Sequence, residues 1–157
     1  MNHINVGMLA AISCFGWIGM FVAKKKINLF TGNCLGLVYH LALLPVVASL
    51  PAPDWIKAAG FFWVLCDALI DVASINKMSE ENVWALRMGV HIPASIWIFG
   101  TASSMSFPGL AIGYALSLLL ATHAIIGPYI PKSKMVLFVF VLPLMSAWLL
   151  IISLKHF

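Results

Sequence analysis

This sequence predicts an all-α membrane protein: six transmembrane helices in one compact bundle, joined by short loops, with both termini outside. Three observations predict it. Of the 157 residues, 62% are hydrophobic and 9% are charged, against about 25% charged in soluble domains. The apolar residues gather into six windows, each near the ~20 residues that a helix needs to cross a bilayer. Six such helices use roughly 120 residues, which leaves loops and no separate soluble domain.

Span 1 covers about 5–23 and is followed by Lys24, Lys25 and Lys26. A signal peptide carries its positive charge ahead of the apolar run. Residues 1–5 hold no Lys or Arg, so span 1 reads as a retained helix with its lysines inside. Span 2, about 28–50, holds Gly32, Gly36, His40 and Pro45. Pro51, Pro53 and Asp54 then mark an outer turn, and Trp55 suits the aromatic belt. Span 3, about 56–75, runs inward to the hydrophilic stretch 76–82. There Ser79 is placed to cap the next helix, with Glu80 and Glu81 in its first turn, where acidic groups suit the helix dipole.

Span 4, about 83–105, contains Arg87, His91 and Pro93. Ser106, Phe107 and Pro108 turn the chain outside. Span 5, about 109–130, holds Gly109, Gly113 and His123, and Lys132 and Lys134 follow it inside. Span 6, about 135–154, contains Pro143 and leaves Lys155 outside. In this topology six lysines (24, 25, 26, 77, 132, 134) lie inside against Lys57 and Lys155 outside. That is the positive-inside bias. It accounts for the +4 net charge without a nucleic-acid partner. Cys14, Cys34 and Cys66 form no CxxC pair and read as small buried hydrophobes. Spans 2 and 5 each open on a GxxxG pattern (Gly32/Gly36 and Gly109/Gly113), which lets helix backbones approach closely. The two faces could serve a homo-oligomer, and their placement suits a three-plus-three inverted repeat, although the histidines do not align between the halves.

The chemical signal lies between Cys66 and His91. Asp67 and Asp71 are four residues apart on span 3, and Arg87 and His91 are four apart on span 4. Counted from the inner ends, Asp71 and Arg87 lie roughly 6 Å deep, and Asp67 and His91 roughly 12 Å deep. Matched depth predicts the pairs Asp71–Arg87 and Asp67–His91. Each ionisable group at mid-membrane costs at least about 2.5–3.5 kcal/mol, so such groups pair, face inward and mark function. His123, roughly 10 Å deep, is placed equally well to join them or to bond a neighbouring helix. His40, roughly 18 Å deep, reads first as a histidine bonded to a neighbouring helix. Pro93 removes the N–H that would meet the Gly89 carbonyl, predicting a kink beside Arg87 and His91.

Three functions are compatible with this pattern. In a proton-linked transporter or channel for a small solute, Asp67 carries the proton and His91 and His123 relay it. Arg87 then counters Asp71 or anchors an anion. In an intramembrane metal or redox enzyme, His91, His123 and Asp67 hold zinc or iron, or two histidines hold haem. No HExxH or GxSxG motif signals either. In a structural or assembly protein, the charges clamp the hairpin. The transporter reading is preferred, with the lipid bilayer and a small solute as partners. Small size and the lack of a soluble domain suggest a bacterial inner membrane.

Overall fold

Proline and charge punctuate the chain where its helices end. The computed structural model describes residues 29–130 and 140–154, together with Met8 and Phe15. Five helices follow in order: α1 (Leu29–Ser49), α2 (Asp54–Ile75), α3 (Glu80–Ala102), α4 (Gly109–Ile126) and α5 (Val141–Leu154). A 3-10 turn, Gly127–Tyr129, extends α4. There is no strand among the described residues. Among the described residues three stretches are long and apolar enough to cross a membrane: Phe30–Ser49, Asp54–Ile75 and Gly109–Tyr129. Helix α3 has the length, at 23 residues, but Glu80, Glu81, Arg87 and His91 dilute its hydropathy. Helix α5 is apolar and shorter, at 14 residues. Span 1, apart from Met8 and Phe15, lies outside the described residues, as do Cys14, the lysines at 24–26, 132, 134 and 155, and the start of span 6.

The caps explain the boundaries. The Lys57 ammonium donates to the Ala48 carbonyl (3.1 Å) and so covers the end of α1. Helix α2 ends in a Schellman motif. Lys77 adopts a left-handed φ of 65°, Met78 N–H reaches Ala73 O (3.0 Å) and Lys77 N–H reaches Ser74 O (3.1 Å). Ser79 caps α3 as expected, its hydroxyl accepting from Asn82 N–H at 3.4 Å. That cap brings Glu80 into the helix, three residues earlier than span 4 was drawn. The far end moves back as well, because Ser104 N–H and Met105 N–H turn onto Thr101 O and Ala102 O. Pro45 and Pro93 stay inside α1 and α3.

Each helix packs on its neighbour in sequence: α1 on α2, α2 on α3, α3 on α4 and α4 on α5. The core is a single cluster that includes Leu43, Val47, Val64, Trp97, Leu116 and Trp148. Three indoles run through it, with Trp63–Trp97 centroids 5.6 Å apart and Trp97–Trp148 centroids 5.4 Å apart. Glycines make this approach workable. A Cβ on Gly60 would fall 2.6 Å from Trp97, and one on Gly113 would fall 2.7 Å from Trp148. Gly36, Gly109 and Gly113 thus face their own chain, so three of the four GxxxG glycines serve internal packing. Large apolar side chains face outward instead: Val38, Phe62, Leu69, Leu118 and Ile125 are 59–69% exposed.

Candidate functional site

Four charged or ionisable side chains from three helices meet inside the bundle. Asp67 and Asp71 lie one turn apart on the same face of α2. His40 reaches them from α1, with Nδ1 donating to Asp71 Oδ2 at 2.7 Å and Nε2 lying 3.5 Å from Asp67 Oδ2. Arg87 reaches them from α3. Its Nη2 donates to Asp71 Oδ1, and its Nη1 lies 3.5 Å from Asp67 Oδ1. Trp63, one turn before Asp67, donates its indole N–H to Asp67 Oδ2 at 2.7 Å. The two carboxylates are therefore held between an imidazole on one side and a guanidinium on the other.

Local sequence explains how α1 comes so close. A Cβ on Gly36 would lie 3.0 Å from Asp71 Oδ2, so the glycine lets the helix backbone rest against that carboxylate without crowding it. One turn further along, His40 then falls level with both acids. The cluster is sealed: His40, Asp67 and Asp71 are 2%, 4% and 1% exposed. Arg87 is the exception, with a side chain 20% exposed. An apolar groove of about 540 Å³ lies between α2 and α3, lined by Phe62, Cys66, Leu69, Leu86 and Gly89 among others, and no cluster residue lines it. The Gly89 carbonyl, left without its helical donor by Pro93, belongs to this groove and not to the cluster.

The Asp71–Arg87 pair is present as expected, but Asp67 does not pair with His91. His40, first read as a histidine bonded to a neighbouring helix, makes that bond to Asp71 and, with Nε2 3.5 Å from Asp67, takes the place expected for His91. His91 instead packs its ring against that of His123, with centroids 4.8 Å apart and the planes tilted by 31°. Trp84 meets His123 edge-on at 5.5 Å. The site residues thus form two groups, His40 with Asp67, Asp71 and Arg87, and His91 with His123. The set His91, His123 and Asp67, considered for zinc or iron, is not brought together. Among the described residues no three His, Cys, Asp or Glu side chains are placed to hold a metal ion. Nor do the two rings flank a haem: an iron between them needs about 2 Å to each nitrogen in addition to the width of the rings.

One participant, Trp63, and one further residue of the α1 stripe, Asn33, were not singled out from the sequence. Trp63 had a signal, since it precedes Asp67 by four residues and shares its helix face. Asn33 had the same kind of signal on α1, seven residues before His40, and its buried Nδ2 finds no acceptor among the described residues. Comparison with protein families, curated proteins and solved structures found no match.

Proposed function

We propose that the chain is an integral membrane protein of six spans, N-out and C-out, and that the His40–Asp67–Asp71–Arg87 cluster carries a proton linked to transport of a small solute. The observation that carries this reading is the bridging imidazole, with one ring nitrogen on each carboxylate. Imidazole takes a proton at one nitrogen and releases one from the other. A proton moving from Asp67 to Nε2, with the Nδ1 proton passing to Asp71, advances one charge by about one helical turn, ~5 Å. Arg87 offsets the charge of the carboxylates throughout, and the Trp63 N–H holds Asp67 in place. The sealed carboxylates correspond to an occluded state of such a carrier.

A second reading, the structural clamp, is favoured by that same sealing. Infrared spectra of the membrane-reconstituted protein across a pH series separate the two. A carrier shows a protonated-carboxyl band that Asp67→Asn or Asp71→Asn removes while the helical bands persist. If both acids stay ionised wherever the protein is folded, the cluster is a clamp and the proton reading fails.

A further inference from the structure

Arg87 is the one member of the cluster that reaches the surface, with a side chain 20% exposed against 1–5% for His40, Asp67 and Asp71. A guanidinium has five N–H donors, and two of Arg87's face the carboxylates. Asn33 occupies the α1 stripe that carries Gly36 and His40. It lies about one turn, ~5 Å, from Gly36, which itself sits against Asp71. Its buried Nδ2 is a donor with no acceptor among the described residues. A buried donor left unmatched is costly. Spare guanidinium donors, an unmatched amide N–H and a partly exposed positive charge suit a ligand with oxygen lone pairs and negative charge, and they repel a cation.

We propose that the transported solute is a small oxyanion, a carboxylate or a phosphate, bound by Arg87 and Asn33 and taken up together with one proton. This rests on the reading of the cluster as a proton site. The exchange balances. Arg87 leaves Asp71 for the anion, and Asp71, buried without its guanidinium, takes the proton. One anion and one proton enter, so the net charge of the site is unchanged. Either one alone leaves a charge uncompensated in a low-dielectric interior, which is strongly disfavoured. Electroneutrality therefore couples the two events without any larger rearrangement.

The test uses the purified full chain in maltoside micelles, which contain no phosphate or carboxylate. Thermal unfolding is followed with added lactate, inorganic phosphate or phosphatidylglycerol, and proton uptake is read with an indicator dye in weakly buffered solution. Protection by lactate or phosphate, with one proton consumed per anion, is expected. Asn33→Leu, with the same branching and number of side-chain heavy atoms and well suited to lipid, is expected to keep the fold and weaken that protection by about ten-fold, the scale of one charge-assisted hydrogen bond. Asn33→Asp, which tethers a carboxylate beside Arg87, is expected to abolish it. Protection by phosphatidylglycerol alone would assign the oxyanion to a lipid headgroup and overturn the soluble solute. No protection by any of the three, or protection unchanged in Asn33→Leu, overturns the site. A carboxyl band that titrates in the infrared series without anion protection defeats this inference and leaves the proton reading standing. Anion protection without proton uptake defeats the coupling.

Discussion

At the residue scale, the balance of charge around Asp71 decides what a substitution does. Asp71 accepts from His40 and Arg87 together, so removing it strands two donors at once. Breaking a buried ion pair by deleting one partner costs about 3–5 kcal/mol, whereas replacing both partners by apolar residues is often neutral. Asp71→Leu is therefore expected to unfold at markedly lower temperature than wild type. Asp71→Leu with Arg87→Leu should recover most of the loss, because His40 and Asp67 remain as a matched pair. A double variant less stable than the single one would show that the pairing is wrong. The sequence made the Asp71–Arg87 contact legible, because depth along two antiparallel helices is simple counting. It did not reveal the partner of Asp67. Depth within one hairpin says nothing about which third helix fills the space beside it; here α1 fills it, with Gly36 set against Asp71.

At the scale of the element, the turn between α2 and α3 sets the register that places Arg87 against the carboxylates. Its second half was legible, since Ser79 followed by two glutamates is a start signal with a mechanism. Its first half was hidden. The left-handed C′ position of a Schellman motif is usually glycine, and here it is Lys77, with φ 65°. A residue with a Cβ carries a penalty of roughly 1–2 kcal/mol in that conformation. Glycine relieves it, while adding some freedom to the unfolded chain. Lys77→Gly is thus expected to stabilise the protein by about 1 kcal/mol and to raise its unfolding temperature in detergent. A lower unfolding temperature would mean that the lysine side chain contributes more than its backbone strain removes.

At the scale of the whole molecule, orientation decides which compartment the exposed edge of Arg87 faces. Within the described residues, Lys57 and Lys77 stand near opposite ends of α2, and the 22 residues of that helix span about 33 Å, close to the ~30 Å of a hydrocarbon core. The lysines expected to orient the chain, at 24–26, 132 and 134, lie outside the described residues, so the proposed orientation rests on their positive-inside bias in the sequence. Asn33 and Arg87 fall toward the end of the bundle that carries Lys77, and Asp67 lies one turn further from that end. In the proposed N-out, C-out arrangement, the anion site faces the cytoplasm and Asp67 faces the outer path. A membrane-impermeant maleimide tests this in intact cells, in a background with Cys14, Cys34 and Cys66 changed to Ala. Ser104→Cys, in the turn before α4, is expected to label directly, and Asn76→Cys, at the end of α2, only after permeabilisation. The reverse pattern would turn the bundle over. It would place Asn33 and Arg87 on the outer side, where an acidic exterior supplies proton and anion from the same compartment, and the same cluster would then load both for uptake.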